Sequence, residues 1–213
     1  MKIQAALITA PQQPIRIEML DLDAPRAGEV LVQIKACGVC HSDYHLITGA
    51  TKHRLPVVPG HEGAGIVEAV GDGVTHIKPG DHIVLNWAPN CGRCFYCLRG
   101  KPNLCATFLG PIWDGVMLDG TPRLSWNGQP VYHFSALAAF AEYAVVPQET
   151  IVVIRSDVLL SVAALVGCAV TTGVGAVLYT AQVQPGDQVA VFGCGGVGLS
   201  VIMGAQLAGA QQI

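Results

Sequence analysis

Charge is scarce in this sequence of 213 residues, because Asp, Glu, Lys and Arg together make up only 13% of it. The 12 basic residues stand against 15 acidic ones, so no basic excess favours nucleic acid as a partner. Met1 begins a short alternating segment without the basic flank and apolar run of a signal peptide. We therefore predict a cytoplasmic protein, in a compartment that keeps thiols reduced.

No charged residue lies between Asp157 and Asp187, and within this stretch the segment 158–181 has the length and hydropathy of a membrane span. Its interior contains Ser161, Thr171 and Thr172 as well as glycines, and no basic cluster flanks it. These features favour buried helices of an α/β core over a membrane segment, so no membrane is expected as a partner.

Four of the eight cysteines form a compact motif with the spacing Cys-x2-Cys-x2-Cys-x7-Cys. Four thiolates around one tetrahedral zinc ion leave no open position, which is the usual composition of a structural site. Two disulfides are the alternative, but a reducing compartment favours the metal. The predicted structural zinc ligands are Cys91, Cys94, Cys97 and Cys105, in a lobe of about residues 89–106.

The apolar pattern divides the chain into a β-rich part, residues 1–157, and an α/β part, residues 158–213. Short segments rich in Ile, Val and Leu, separated by Pro and Gly, predict a small barrel or sandwich in the first part. Residues 109–132 are expected to be irregular, and residues 188–192 to form an uncharged strand. The other predicted strands are 2–9, 15–20, 30–36, 65–70, 81–85, 140–147 and 150–154, and the predicted helices are 158–166, 172–181 and 197–207.

A second set of metal-binding residue types is scattered along the chain and consists of Cys40, His61 and Cys168. Two thiolates and one imidazole leave the fourth position of a zinc ion open, as a catalytic site requires. The spacing alone is a weak signal, because each of these residues taken singly is more often an ordinary core or surface residue.

Polar residues beside this set match the outer partners that a metal site needs. Asp43 is expected to accept a hydrogen bond from the distal nitrogen of His61, which fixes the tautomer of the imidazole. Ser42 is positioned to hold a hydroxyl at the metal, and His45, one helical turn on, to pass the proton to solvent. The simpler alternatives are a helix cap for Asp43 and a solvated side chain for His45.

The segment from Gly193 to Gly198 contains the pattern Gly-x-Gly-x-x-Gly between a predicted strand and a predicted helix. A dinucleotide-binding turn requires this context. Gly193 would form the tight turn, Gly195 would let the backbone approach a pyrophosphate, and Gly198 would let helix and strand pack closely. The acidic residue that binds the ribose would fall beyond Ile213.

Together these motifs resemble the zinc-containing medium-chain alcohol dehydrogenases, a branch of the medium-chain dehydrogenase/reductase family, over the whole sequence. The motifs are Gly38-Val39-Cys40-His41-Ser42-Asp43, Gly60-His61-Glu62-Gly63-Ala64-Gly65, the four-cysteine motif, Gly167-Cys168 and the turn from Gly193 to Gly198. The resemblance implies an α/β protein, with a chaperonin-10-like (GroES-like) β-barrel catalytic domain followed by a Rossmann domain. It also places the active site in the cleft between these domains.

The resemblance implies a role for each matching residue. Cys40, His61 and Cys168 would bind the catalytic zinc, and Glu62 would approach it during ligand exchange. Ser42 and His45 would form the proton relay. The implied cofactor contacts are His41 at the pyrophosphate, Thr172 near the nicotinamide, and Gly193, Gly195, Gly196 and Gly198 at the turn; Trp87 would form a wall of the substrate pocket.

The implied reaction is reversible hydride transfer between a primary alcohol and NAD or NADP, with an aldehyde as the product. Two zinc ions per chain and a full-length homodimer or homotetramer are also implied. Relatives that act on glutathione adducts carry two acidic residues and an arginine where this sequence has Thr51, His53 and Leu109. We therefore expect ordinary primary or aromatic alcohols as substrates rather than glutathione adducts.

Family members are longer, and this sequence ends in the first helix of the implied Rossmann fold. We therefore expect a fragment with little or no turnover by itself. One alternative is a non-catalytic zinc-binding module built on the four-cysteine motif. Another is a zinc-free relative that resembles quinone reductases, against which the presence of Cys40, His61 and Cys168 argues.

Overall fold

Ten short strands form two five-stranded sheets in the N-terminal part of the chain. The computed structural model describes all residues from Met1 to Ile213, and they divide into an N-terminal unit, Met1–Ala164, and a C-terminal unit, Leu165–Ile213. The strands are β1 (Lys2–Leu7), β2 (Arg16–Leu22), β3 (Glu29–Gly38), β4 (Val57–Val58), β5 (Glu62–Val70), β6 (His82–Leu85), β7 (Leu124–Trp126), β8 (Gln129–His133), β9 (Tyr143–Pro147) and β10 (Ile151–Ile154).

The first sheet has the strand order β1-β2-β7-β8-β4, and the second has the order β10-β6-β5-β3-β9. Neighbouring strands are antiparallel except for β4 and β8, which are parallel. Short antiparallel strands joined by turns are typical of a small barrel, as the sequence predicted. The predicted β-rich N-terminal part is therefore confirmed.

The first part of β3 is buried on both faces, which explains the apolar run Val30-Leu31-Val32. Leu31 packs in one core cluster with residues of the first sheet such as Leu20, whereas Val30 and Val32 pack in a second cluster with Ile83 of β6. Successive side chains of a strand point to opposite faces, so one strand supplies both clusters.

Three short helices accompany the strands of the N-terminal unit: α1 (His41–Thr48), α2 (Ala106–Asp114) and α3 (Leu160–Ala163). Ala163 of α3 packs with Ala64 of β5 and Val84 of β6, which keeps α3 within this unit. The domain boundary predicted after residue 157 stays a prediction.

The prediction of irregular structure for residues 109–132 was wrong in part. Helix α2 extends to Asp114, and β7 and β8 form a hairpin around Asn127 and Gly128, whose φ values are 51° and 75°. An Asn-Gly pair is a strong hairpin signal because both residues tolerate positive φ. The strands on either side are too short to show a clear alternation of apolar residues.

The C-terminal unit contains α4 (Ala169–Gly175), a π-helical continuation (Ala176–Ala181) and α5 (Gly196–Leu207). The prediction of a strand over residues 188–192 was wrong, because only Gln188 forms a bridge, with Gln212. A parallel strand needs hydrogen-bonded neighbours, and this segment has none beyond that bridge. No single helix is long and apolar enough to cross a membrane; the segments Leu160–Gly167 and Ala169–Ala181 pass only as a bent pair, by length and composition.

Candidate functional site

Asp43 joins the start of α1 to the segment that precedes β5. Its Oδ2 accepts a hydrogen bond from the backbone N–H of Cys40, 3.0 Å away, and its Oδ1 accepts one from the backbone N–H of Gly60, 2.9 Å away. Cys40 is the N-cap residue of α1, so an acidic side chain in the first turn satisfies a free backbone donor. The Asp43 side chain is buried, and its position is therefore fixed by the backbone on both sides.

His61 lies beside this carboxylate. The distance between His61 Nδ1 and Asp43 Oδ1 is 3.3 Å, and both side chains are buried. A hydrogen bond at Nδ1 holds the proton on that nitrogen and leaves the lone pair of Nε2 for a metal. The Phe134 ring contacts the same imidazole edge-on, with ring centroids 5.2 Å apart and an interplanar angle of 90°.

Cys40, His61 and Glu62 bring one ligand atom each to within 4.8 Å of one another. A thiol, an imidazole and a carboxylate are all zinc ligands, and the imidazole has the outer carboxylate partner that such ligands usually have. The donor set of the N-terminal unit therefore suits a zinc ion, with Cys40 and His61 as ligands and the buried Glu62 beside them.

Ser42 and His45 lie on the same helix as the Cys40 cap. Ser42 Oγ is 3.7 Å from Cys40 Sγ, which puts the hydroxyl at the edge of the ligand set. His45 is half-buried and its ring centroid is 4.7 Å from that of the exposed His41. Residues three apart on a helix share a face, so Ser42 and His45 lie on the same side of α1.

Trp87 follows β6 and packs, partly buried, against the second core cluster. Thr51 and His53 lie in the loop between α1 and β4, and Leu109 is exposed on α2. Burial lowers the pKa of His53. Neither Thr51 nor His53 is an acidic residue, in contrast to the glutathione-dependent pattern.

Cys168 is the N-cap residue of α4 in the C-terminal unit and is half-buried. Its carbonyl oxygen accepts hydrogen bonds from Thr172 N at 2.9 Å and from Thr171 Oγ1 at 3.1 Å. Thr172 is exposed on the first turn of this helix. The assignment of Cys168 to a metal stays a prediction from the sequence motif.

The four-cysteine motif forms a second cluster, in which the four sulfur atoms lie within 4.8 Å of one another. All four cysteines are free thiols, so the two-disulfide alternative does not describe this structure. Cys94 Sγ is 3.5 Å from Cys97 Sγ and 3.9 Å from Cys105 Sγ, whereas a disulfide bond is about 2.05 Å long. Two 3-10 turns and the start of α2 carry the last two cysteines.

The thiols of this cluster differ in pKa. A hydrogen bond from the Thr107 hydroxyl, 3.2 Å from Cys91 Sγ, is the main cause that lowers the pKa of Cys91 to about 6. Desolvation and the hydrogen bond with Cys94 raise the pKa of Cys97 to about 11. Thiols this close cannot all ionise without a cation, and a tetrahedral zinc ion is the cation that four thiolates suit.

The glycine turn precedes α5 in the C-terminal unit. Gly193 has φ of +96°, and a Cβ at Gly198 would lie 1.9 Å from the Gly193 carbonyl oxygen, so the protein itself requires both glycines. A Cβ at Gly195 would meet nothing within 4 Å, and Gly196 begins the helix. The space at Gly195 and the uncapped backbone donors of α5 match what a pyrophosphate needs.

Two residues near these sites escaped the sequence interpretation. Thr107 follows Cys105 by two positions and donates a hydrogen bond to Cys91 Sγ. Its position in the sequence, so close to the cysteine motif, could have indicated this contact. Phe134 lies in an apolar segment, and no sequence pattern connects it with His61, more than seventy positions earlier.

The chain matches the family described as the alcohol dehydrogenase GroES-like domain over residues 26–156. It is 46% identical to an S-(hydroxymethyl)glutathione dehydrogenase of Escherichia coli O1:K1 / APEC over 214 aligned residues, which cover 100% of this chain and 58% of the relative. A protein of the same name from Shigella sonnei (strain Ss046) shows the same identity and coverage. The chain thus spans about 58% of the length of these curated relatives.

Solved structures give the same similarity. An alcohol dehydrogenase zinc-binding domain protein from Burkholderia ambifaria superimposes with a TM-score of 0.93 at 37% identity, over 99% of this chain and 57% of the other. A benzyl alcohol dehydrogenase from Acinetobacter calcoaceticus superimposes with a TM-score of 0.91 at 34% identity, again over 99% and 57%.

Proposed function

The chain belongs to the alcohol dehydrogenase GroES-like domain family, and from this premise we propose that it serves a zinc-dependent oxidoreductase that transfers hydride between an alcohol and NAD(P). The observation that carries the proposal is the pairing of His61 with Asp43 beside Cys40 and Glu62. A non-catalytic module built on the four-cysteine motif would not need a second donor set whose imidazole is fixed in its metal-binding tautomer.

Two zinc ions per chain follow from the two donor sets. Cys40 and His61 would hold the catalytic ion, and the sequence motif assigns Cys168 as its third ligand. The cysteines Cys91, Cys94, Cys97 and Cys105 would hold the structural ion. A zinc ion at the first set supplies Lewis-acid chemistry that lowers the pKa of a substrate hydroxyl.

Two side chains of α1 would transfer the proton of the substrate alcohol to solvent. Ser42 Oγ lies at the edge of the ligand set, so its hydroxyl is placed to accept the proton of a substrate alcohol while it donates its own onward. His45, on the same side of α1, would receive that proton and release it to solvent. Asp43 keeps His61 oriented and takes no part in the transfer.

The glycine turn would bind the dinucleotide, and we propose NAD as the cofactor, with NADP as the alternative. Backbone donors at Gly195 and Gly196 would face the pyrophosphate, and His41 and Thr172 would contact the cofactor as the family pattern implies. The cofactor would supply the chemistry of hydride transfer from the substrate carbon to the nicotinamide. The protein would set the distance between these two groups and the charge around them.

For the substrate, we propose a primary alcohol, with aromatic alcohols included. The similarity to a benzyl alcohol dehydrogenase and the uncharged Thr51 and Leu109 support this choice. The second candidate is S-(hydroxymethyl)glutathione, which is favoured by the name of the relatives that are 46% identical. Activity of the full-length protein with benzyl alcohol and with S-(hydroxymethyl)glutathione, compared as kcat/KM, separates the two.

Metal content tests the proposed class of protein without relying on turnover. Two zinc ions per chain are expected, of which one exchanges readily with added cobalt and is lost in His61→Ala. Cys94→Ser should remove the other ion and leave the exchangeable one. A single, tightly held ion that His61→Ala does not affect would instead identify a non-catalytic zinc-binding module. Cytoplasmic location and a homodimer or homotetramer stay predictions.

A further inference from the structure

The segment Phe134–Ala138, called here the strained turn, holds three residues other than glycine in the left-handed region. Ser135, Ala136 and Ala138 have φ values of 57°, 58° and 59°, and all three are buried. A side chain at positive φ costs roughly 1 kcal/mol or more, so three in one turn persist only because the surroundings hold them. Such strain often marks a functional site.

The strained turn is fastened to the segment that carries His61. Directly after the turn, Ala139 N donates a hydrogen bond to Gly60 O at 2.9 Å, and Phe140 N donates one to Pro59 O at 3.0 Å. Gly60 itself has φ of +92°, and a Cβ there would lie 2.5 Å from Phe140 N. The two backbones therefore approach as closely as a glycine permits, one residue before His61.

At its other end, the strained turn presents the Phe134 ring to His61. The rings meet edge-on at a centroid distance of 5.2 Å, which is a favourable aromatic geometry. Phe134 is buried in a small apolar cluster with Ile8, Leu46 and Val57, so its ring has little freedom to move.

We propose that the strained turn is a brace that holds the His61 imidazole in its metal-binding orientation, with Phe134 as the positioning residue. The hydrogen bond to Asp43 holds one nitrogen of the imidazole, and the Phe134 ring, packed edge-on against the same imidazole, opposes a tilt of the ring about that contact. The inference rests on the proposed function, because it takes His61 as a metal ligand.

Cobalt titration of the whole chain in the variant Phe134→Leu tests the brace. Leucine keeps an apolar side chain in the cluster but removes the aromatic contact. We expect cobalt affinity at the His61 site to fall about tenfold, the lower end of the range for partners of metal ligands. The ligand-field bands of that site should broaden, while the thiolate bands of the four-cysteine site stay unchanged as an internal reference.

Ile8→Ala is the matched control, since it removes apolar contact from the same cluster without touching the His61 ring. It keeps the Phe134 ring in place of a leucine, so cobalt affinity at the His61 site should fall less than in Phe134→Leu. Equal losses in Phe134→Leu and Ile8→Ala would mean general destabilisation and would overturn the brace. Unchanged affinity in Phe134→Leu would overturn it as well.

The double variant Ala136→Gly/Ala138→Gly covers the case in which Phe134→Leu does not fold. Glycine relieves the strain without removing the ring, so the variant should unfold no more easily than the wild type but release metal from the His61 site several times faster. A purely structural turn predicts the reverse, slower release from a more stable protein. If the wild-type chain binds only the four-cysteine ion, the proposed function itself fails; if it binds two and both variants behave as the wild type, the brace alone fails.

Discussion

His133 is a buried residue whose protonation opposes folding. Its Nε2 accepts a hydrogen bond from the backbone N–H of Arg123 at 3.0 Å, so a proton on that nitrogen would break the contact. Desolvation, together with the charge of Arg123, lowers the pKa of His133 to about 3. In the unfolded chain the imidazole titrates near its ordinary value of about 6.5.

This difference predicts a pH dependence of stability. Between pH 6.5 and about 3, the unfolded chain binds a proton at His133 that the folded chain does not. The free energy of unfolding should therefore fall as pH falls through this window, by up to about 1.4 kcal/mol per pH unit from this residue. The free energy of unfolding, measured by urea unfolding at several pH values between 7 and 4, should depend less steeply on pH in His133→Gln than in the wild type. His76→Gln, at an exposed histidine, should keep the pH dependence of the wild type.

Arg123 and Glu29 form a buried ion pair with two hydrogen bonds, at 2.6 Å and 2.9 Å. Replacing Arg123 with methionine leaves the Glu29 carboxylate buried and unpaired, which should cost about 3–5 kcal/mol of unfolding free energy. Lys2→Met breaks the exposed pair between Lys2 and Asp21, 2.8 Å long, and should cost less than about 1 kcal/mol. Similar urea midpoints for the two variants would contradict the assignment of Arg123 as the buried partner.

Single residues differ in how far the sequence reveals them. The contact between Asp43 and His61 was predictable, because both residues stand in short motifs with the residue types of a metal site. The Arg123–Glu29 pair and the Phe134–His61 contact were not, since each joins segments more than seventy residues apart. Nothing in the local sequence of Phe134 distinguishes it from an ordinary core residue.

At the scale of elements, the glycine turn and α5 make a prediction that separates packing from binding. Gly198→Ala places a Cβ against the Gly193 carbonyl oxygen and should lower the free energy of unfolding of the C-terminal unit by about 1–3 kcal/mol. Gly195→Ala meets open space at φ of −79° and should leave stability nearly unchanged.

The same pair distinguishes the role of the turn in cofactor binding. In the full-length protein, Gly195→Ala should weaken NADH binding, measured by fluorescence titration, because the methyl group fills the space proposed for the pyrophosphate. Wild-type NADH affinity in Gly195→Ala would argue against a pyrophosphate at this position, whatever happens in Gly198→Ala.

Elements were predictable where a local signal is sufficient. Helix α5 begins one residue before its predicted start, because a glycine turn followed by an apolar run specifies it locally. The segment 188–192 has the composition of a strand, yet it pairs only through Gln188, since a strand depends on neighbours that its own sequence does not supply. The β7–β8 hairpin was missed for the opposite reason: its Asn127-Gly128 turn signal was present but its strands are very short.

The two units of the molecule differ in how much side-chain surface they bury. The N-terminal unit contains several clusters of buried apolar residues, whereas the buried side chains of the C-terminal unit are few, among them Val177, Ser200 and Ala205. In the same unit, Phe192 is 98% exposed and Leu207 is 77% exposed. Local stability follows buried apolar contact, so the C-terminal unit should open more readily than the barrel.

Hydrogen exchange followed by mass spectrometry tests this difference within the 213-residue chain. Amides of residues 165–213 should exchange at least tenfold faster than those of β3 and β5. The small core of the C-terminal unit opens at a lower free energy, and each opening exposes these amides to solvent. In the full-length protein, NADH should slow exchange at residues 193–198 increasingly as its concentration rises above Kd, because a ligand that binds only the folded form stabilises it. Uniform protection along the chain would contradict the ranking of the units, and exchange at residues 193–198 that saturating NADH leaves unchanged would contradict the proposed dinucleotide site.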